Sequence, residues 1–277
     1  MTGEFLIRNL ESIRELKAVE ELQKIIWGMP ERDIVPFRFL KALIAGGGCV
    51  LGAWVKPRRL VGFSFGFPGV RDGERIFYSH QTGVHPDFQK SGVGFLLKRA
   101  QRDYALSLGI SRIIWTFDPL RSLNAYFNFH KLGVVSDRYL VNYYGPMRDA
   151  LNQGMGSDRL EVSWWLNDPD VEKRMRGIPP KSVTPESCQF ALLAGWKKGY
   201  PIPAKSNLSI STSPILLEIP ADIQSLRNKY PSLVRRWRIA TRKVFLHYFA
   251  GGFQAVDFLR NISFQGKSRS FYVLKKK

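Results

Sequence analysis

The stretch that most constrains the fold of this chain is QKSGVG, residues 89–94, which stands directly before an amphipathic helix. Apolar residues recur at steps of three and four from Val93 to Leu108, and Gly109 ends the helix. The same pattern places charged residues, including Lys98, on the other faces. A glycine pair at a helix start is costly unless something must approach the backbone, so the loop predicts a binding site.

The two glycines of this loop predict an anion site. The first turn of a helix has unpaired N–H donors and partial positive charge, and Gly92 and Gly94 carry no side chain that would cover those donors. Gln89, Lys90 and Ser91 can add hydrogen bonds or charge. A diphosphate group fits this description.

Two other phosphate-binding motifs fail on spacing. The dinucleotide-binding fingerprint needs a third glycine where Leu97 stands, and it needs the loop directly after a strand. The nucleoside-triphosphate loop could end at Gly266-Lys267-Ser268, but Asn261 occupies its first glycine position and a strand follows.

Residues 1–166 alternate strands and helices and predict an α/β fold of the α+β type. Ser12 and Glu15 form a capping-box pattern for a first helix that runs to about Ile26, and Pro36 begins a second. The predicted order is strand, two helices, three strands, helix, strand, helix, two strands. This order favours a mixed, mostly antiparallel sheet with helices on both faces.

Residues 167–277 form a basic C-terminal extension, predicted as a second domain that begins at the Pro-rich segment after Leu166. Residues 167–208 are predicted to be loop-rich with short helices, and a strand, a helix at about 233–249 and a hairpin follow. This order is similar to that of residues 113–143. Either a partial duplication or a tail that packs on the main sheet would account for it.

The pattern Gln/Arg-x-x-Gly-x-Gly/Ala, matched by Gln89, Gly92 and Gly94, resembles the GNAT superfamily of acyl-CoA-dependent N-acyltransferases. The resemblance extends over about residues 3–166. Longer stretches resemble a little-characterised branch of predicted acetyltransferases: DIVP, YSHQTGVHP, WTFDPLRSLNAYFN, NYYG and SDRLEVSWW. It implies that residues 89–94, with Val93 among them, cradle the pyrophosphate of acetyl-CoA or another acyl-CoA, which donates its acyl group to an amine.

The resemblance also implies where the chemistry takes place. In the implied fold the strands IFYSHQTGV and IIWTF splay apart, and the pantetheine arm of the cofactor pairs with the first of them. Tyr78, His80, Thr82 and Val84 are predicted to share one strand face. With Val84 near the thioester, His80 is the candidate general base, and a buried core histidine is the alternative.

The family commonly protonates the thiolate with a tyrosine on the later helix, but Phe129 occupies that position here. Tyr126, one turn earlier on the predicted same face, is the candidate acid, with core packing as the alternative. Ser122 replaces the usual asparagine at the start of this helix, and Asn124 lies nearby. Both are candidate cofactor contacts.

The net charge of +19 favours anionic partners, and residues 151–277 (+12) are more basic than residues 1–150 (+7). The alternative function is therefore a nucleic-acid-binding protein with a degenerate GNAT core, whose predicted helix at 233–249 would supply basic and aromatic residues. These are Arg235, Arg236, Arg238, Arg242, Lys243, Trp237 and Phe245. The same helix could attract an acidic acceptor. The acceptor pocket is expected near Trp27, Arg32, Phe37 and Arg38.

Several other classes are excluded or not favoured. Two cysteines, Cys49 and Cys188, cannot build a disulfide framework or a thiolate zinc site, and no metal-binding spacing is present. Ser64 lies in G-x-S-x-G, but the strand context does not fit a hydrolase nucleophile. The N-terminus has no signal-peptide layout and no span is apolar enough for a membrane, so a soluble, cytoplasmic protein is expected. The sequence identifies neither the acceptor nor the oligomeric state.

Overall fold

The computed structural model of the chain describes residues 5–56, 59–145, 156–181 and 183–277. By its contacts the chain divides into two compact units. The first contains the described residues up to Trp115 together with Trp165–Asn167, and the second contains the described residues from Thr116 to Trp164 together with Asp168–Lys277. The predicted domain division after residue 166 stays a prediction.

The first unit has five strands and three helices in the predicted order. They are β1 (Leu6–Asn9), α1 (Ile13–Trp27), α2 (Phe37–Ala45), β2 (Cys49–Val55), β3 (Arg59–Arg71), β4 (Glu74–Val84), α3 (Val93–Ser107) and β5 (Arg112–Phe117). Neighbouring strands from β1 to β4 pair in antiparallel fashion, and β4 and β5 pair in parallel.

Local signals explain where the helices begin. The Ser12 side chain accepts a hydrogen bond from the Glu15 backbone N–H, and the Glu15 carboxylate accepts one from the Ser12 N–H, which confirms the predicted capping box. Pro36 is the N-cap of α2, as predicted, and the helix stops at Gly46. The core of this unit lies between these two helices and the sheet, with Leu16, Leu40 and Phe65 among its buried side chains.

The second unit begins within β5 and contains the remaining elements. They are α4 (Ser122–Ala125) continued by a π-helix (Tyr126–Leu132), β6 (Val135–Leu140), β7 (Arg159–Trp165), α5 (Pro169–Met175), β8 (Gln189–Leu192), β9 (Ala194–Lys197), β10 (Tyr200–Pro203), β11 (Ile215–Ile219), α6 (Ile223–Lys229), α7 (Pro231–Ala250), β12 (Phe253–Phe264) and β13 (Lys267–Lys276).

The sheet of the second unit has the order β7-β6-β12-β13-β11-β8, and β9 and β10 form a separate two-stranded sheet. The predicted C-terminal hairpin is confirmed as β12 and β13. The pair β8–β11 is parallel, and β11 pairs with β13 in antiparallel fashion. The prediction of a loop-rich segment with short helices at 167–208 missed β8, β9 and β10. Four-residue strands carry too few residues to show a period.

The fold class is a mixed α/β fold whose sheets are mostly antiparallel, as predicted. The strand, helix and hairpin order of β11, α6, α7, β12 and β13 is the order that the duplication hypothesis requires, and the duplication itself stays a hypothesis. Among the described residues, no helix combines the length and apolar content that a membrane span needs.

Candidate active site

The loop after β4 keeps the start of α3 uncovered. It passes through a 3₁₀ turn at Pro86–Phe88, and Gly92, with φ of 91°, is the N-cap of α3. A Cβ atom added at Gly92 would meet no atom within 4 Å, and residues 89–92 are exposed. This left-handed backbone conformation favours glycine, so the sequence motif has a structural reason here.

Three backbone donors at this helix start have no partner. In the part of the chain that the structure describes, the N–H groups of Gly92, Val93 and Gly94 have no acceptor, whereas those of Phe95 and Leu96 donate to the Gly92 carbonyl. Gly92 is exposed, Gly94 is half-buried and Val93 is buried. Unpaired donors at the positive end of a helix of 15 residues suit an anion, and the binding of one stays a prediction.

The side chains of the loop divide into two roles. Gln89 Nε2 donates to the Val84 carbonyl over 3.3 Å, and Ser91 Oγ donates to the Phe88 carbonyl over 2.6 Å. Both therefore help to hold the loop itself, and the Gln89 amide keeps a second N–H. Their contact with a phosphate stays a prediction. Lys90 is exposed with φ of 68°, in the left-handed region.

A β-bulge interrupts β4 beside the predicted base. Phe65 of β3 pairs with Gln81 and Gly66 pairs with Ser79, so His80 is an extra residue on β4. The predicted common face of Tyr78, His80, Thr82 and Val84 is therefore wrong. A bulge shifts the two-residue alternation by one position, which a strict period cannot anticipate.

The two faces of β4 can be assigned from contacts. Gly62, which pairs with Val84, faces Val93 and Leu97 of α3. The Ser64 and Thr82 hydroxyls, 2.8 Å apart, lie on that same face by the strand period. The imidazole of His80 lies instead 5.5 Å from the ring of Phe65, on the face that carries the core of α1 and α2.

His80 combines exposure with an aromatic environment. Its ring lies against Phe65 and Tyr78, with centroids 5.5 and 6.4 Å away, and the residue is exposed. Desolvation by this environment lowers the pKa of His80 below its ordinary value. A neutral imidazole at neutral pH can accept a proton from an amine.

Lys98 is a residue that the sequence pattern missed. The prediction that it lies on a solvent face of α3 is wrong, because only 2% of it is exposed. Its Nζ donates to Ser79 Oγ over 3.0 Å and to Gln101 Oε1 over 2.7 Å, and it lies 3.8 Å from the centroid of the Trp115 ring. No sequence signal marks it, since a lysine counts as polar in any periodicity argument.

A family model described as "Acetyltransferase (GNAT) family" matches residues 16–133, which include the α3 loop and His80. The match identifies residues 16–133 as a segment of the GNAT acetyltransferase type. The prediction of this family is confirmed, and the fold described above is GNAT-like. A comparison with curated proteins finds no match to the chain.

Several solved structures resemble the GNAT domain. The ribosomal-protein-S18-alanine N-acetyltransferase from Escherichia coli is 15% identical, with a TM-score of 0.47 over 60% of this chain and 96% of that one. Ard1 from Thermoplasma volcanium is 16% identical, with a TM-score of 0.45 over 59% and 99%. Arabidopsis thaliana Naa50, in complex with the bisubstrate analogue CoA-Ac-MVNAL, is 15% identical, with a TM-score of 0.46 over 57% and 97%.

The remaining predicted site residues of the GNAT domain lie in the second unit. Ser122 is buried, and its Oγ has no hydrogen-bond partner among the described residues, which suits a polar ligand contact. Asn124 is exposed. The ring of Tyr126 stacks on His130 with centroids 4.8 Å apart, and His130 Nδ1 lies 3.0 Å from Asp257 Oδ1.

Phe129 and Tyr126 do not share a face. Phe129 is buried against Phe117 and Tyr272, with ring centroids 6.2 and 5.5 Å away, whereas Tyr126 is half-buried against His130. The segment is a π-helix, whose i→i+5 hydrogen bonds place more residues in each turn than an α-helix does. Residues three apart therefore no longer overlie one another, and the predicted common face is wrong.

The predicted acceptor residues of the first unit differ in exposure. Trp27 is half-buried, with its ring 5.6 Å from that of Phe63, and Phe37 is half-buried against the same core. Arg32 and Arg38 are exposed. Core packing accounts for the two aromatic residues, and the acceptor pocket stays a prediction.

The contacts of α7 do not favour the nucleic-acid alternative. Trp237 and Phe245 are fully buried, so their rings cannot stack on bases. Arg238 and Arg242 form ion pairs with Asp118 and Asp158. Arg235, Arg236 and Lys243 are the exposed ones among these cations.

Two other predictions concern the chemistry of the chain. Ser64 is a buried residue within β3, so the nucleophile elbow of a hydrolase is absent at this position. Across the described residues, no group of three or more His, Cys, Asp or Glu side chains could hold a metal ion.

Proposed function

We propose that this protein transfers an acetyl group, or another acyl group, from acyl-coenzyme A to an amine of an acceptor. The observation that supports the proposal most directly is the row of unpaired N–H donors at Gly92, Val93 and Gly94, which follows an exposed loop within residues that match the GNAT family. Coenzyme A carries a diphosphate, and unpaired donors at a helix start suit that group. The thioester of the bound cofactor would supply the acyl group.

The residues of β4 would perform the proton chemistry. An amine must lose its proton in order to form an amide, and His80 is the proposed base because its lowered pKa leaves the imidazole neutral near pH 7. Lys90 would add a positive charge beside the diphosphate. Tyr126, the predicted acid, belongs to the second unit and stays a prediction.

Calorimetry with acetyl-CoA tests the proposal. The Gly92→Asp variant places a carboxylate at the donors, and we expect it to weaken acetyl-CoA binding by tenfold or more through charge repulsion. Gly73→Asp is the matched control, since Gly73 also has a positive φ and open space for a Cβ, but lies in the turn between β3 and β4. The proposal fails if the unaltered protein binds no acetyl-CoA, or if the two variants bind it equally well.

A further inference from the structure

A cavity of about 160 Å³ lies within the second unit, and none of the residues named for acyl transfer lines it. It is formed by β9, β10, the end of β11, α6 and the start of β13. Its walls are mostly aromatic or aliphatic, with Trp196, Tyr200, Ile219 and Leu226 among the lining residues. An apolar cavity of roughly 150 Å³ holds a benzene molecule, so this one has room for a single six-membered ring.

The aromatic wall of this cavity is fixed by neighbouring side chains. The indole Nε1 of Trp237, a fully buried residue, donates to the Pro201 carbonyl over 3.1 Å. The Tyr200 ring contacts the Tyr230 ring edge to face, with centroids 4.6 Å apart. The cavity is therefore formed by packing before any ligand arrives, as is usual for small-molecule sites.

A buried ion pair lines the same cavity. Glu218 and Arg269 are only 2% and 4% exposed. Arg269 Nη1 donates to Glu218 Oε2 over 2.8 Å, and the Ala194 N–H donates to that same oxygen over 2.6 Å. Arg238 and Asp118, by contrast, are joined by two hydrogen bonds that use both oxygens. The pair at the cavity is thus joined through one oxygen and one nitrogen.

The single bond leaves one acceptor and one donor unused. Among the described residues, Glu218 Oε1 accepts no hydrogen bond, and Arg269 Nη2 donates none, since the bonds of this guanidinium come from Nε and Nη1. Burial raises the pKa of Glu218, and its two present donors offset that effect only in part. A buried polar group without a partner costs free energy, so a ligand that pairs with both atoms would be stabilised here.

We propose that this cavity binds a free, neutral cyclic amide with a flat six-membered ring, the chemical class to which the pyrimidine bases belong. The ring N–H donates to Glu218 Oε1, and the adjacent C=O accepts from Arg269 Nη2. A neutral ligand fits because the carboxylate and the guanidinium already compensate each other. The ring of Trp196, whose centroid lies 5.9 Å from Arg269 Cζ, supplies a flat apolar wall beside the polar pair.

The test uses uracil as the probe and follows its binding at pH 7 by ligand-observed nuclear magnetic resonance. We expect a dissociation constant of about 1 mM, because so small a ligand makes few contacts. Two isomers of equal size test the polar pairing. We expect 5,6-dimethyluracil to bind about tenfold more tightly than 1,3-dimethyluracil, which has no ring N–H and leaves the Glu218 oxygen unpaired.

A variant that fills the cavity locates the binding. Ala221 is half-buried and lines the cavity, so Ala221→Trp should weaken uracil binding tenfold or more. Ala250→Trp is the matched control, since Ala250 is exposed at the end of α7 and does not line the cavity. It should leave the binding unchanged. The comparison of the two isomers needs no variant, so it decides even if Ala221→Trp does not fold.

Four outcomes would overturn the inference. The first is no uracil binding up to about 10 mM, ten times the expected constant, which would indicate that water alone fills the cavity. The second is equal binding of the two isomers, and the third is equal binding of uracil to Ala221→Trp and Ala250→Trp. The fourth is an oligouridylate that displaces uracil and binds more tightly, because the ligand would then be a strand. None of these outcomes concerns acetyl-CoA, so the proposed function is judged separately.

Discussion

Arg238 on α7 donates two hydrogen bonds to Asp118, from Nη1 to Oδ1 over 2.7 Å and from Nη2 to Oδ2 over 2.9 Å. The two side chains are only 3% and 6% exposed. Burial by itself would raise the pKa of Asp118, but the charge and hydrogen bonds of Arg238 hold it below its ordinary value. This pair ties α7 to the segment after β5 within the second unit.

Arg238→Met should lower the free energy of unfolding by about 3–5 kcal/mol, because it leaves the Asp118 carboxylate buried without its cation. Urea unfolding at pH 7 measures the change. Arg235→Met, on the exposed face of the same helix, is the control and should change stability by less than about 0.5 kcal/mol. Equal effects of the two variants would contradict the importance of the buried pair.

The same pair predicts that the second unit loses stability in acid. The folded pKa of Asp118 is depressed, so its contribution to stability is complete above the ordinary aspartate pKa of about 3.9 and is lost as the pH falls through the folded pKa. The stability difference between the unaltered protein and Arg238→Met should therefore narrow as the pH falls below about 4. A difference that stays constant down to pH 2 would argue against this assignment.

His80 should titrate below the ordinary histidine value of about 6.5, because partial desolvation beside the rings of Phe65 and Tyr78 disfavours its charged form. Nuclear magnetic resonance of the imidazole protons measures this, and His80→Gln assigns the signal by removing it. Its base form is then present at neutral pH and is lost as the pH falls through the lowered pKa. A titration at or above the value found in the urea-unfolded protein would count against His80 as the base.

A tyrosine at position 129 should not be tolerated, although the family commonly has one there. The Phe129 ring is fully buried against Phe117 and Tyr272, so an added hydroxyl would lose its water and cost about 1–3 kcal/mol of unfolding free energy. Phe127→Tyr is the matched control, since Phe127 is half-buried and its added hydroxyl can reach solvent. Thermal unfolding measures the stability of the two variants against that of the unaltered protein. A Phe129→Tyr protein as stable as the unaltered one would contradict the prediction.

The two cysteines should differ in reactivity. Cys49 is buried with its pKa raised to about 12, whereas Cys188 is partly exposed. A thiol reagent should therefore label one thiol in the native protein and both after unfolding, since only a thiolate in contact with solvent reacts. Cys188→Ser should abolish native labelling. Rapid native labelling of that variant would show that the first unit opens around β2.

Local signals predicted much of the first unit. The capping box of Ser12 and Glu15 begins α1, and the glycine pair begins α3 with unpaired donors, because both features depend on residues within one turn of the chain. The order of the strands up to β5 follows from the same short-range patterns. The sequence motif alone thus located the proposed cofactor loop and its glycines.

What the sequence could not determine depends on partners distant along the chain. The bulge at His80 arises from the pairing with β3, the burial of Lys98 arises from its contacts with Ser79 and Trp115, and Arg238 is removed from solvent by Asp118. A periodic pattern predicts that a charged residue is exposed. Only the tertiary structure shows which charged residues are buried beside a partner. The sequence by itself determined where α3 begins with unpaired backbone donors, which is where we propose that an anion binds. The tertiary structure decided which side chains face that place, because strand register and burial are set by contacts that no local pattern contains.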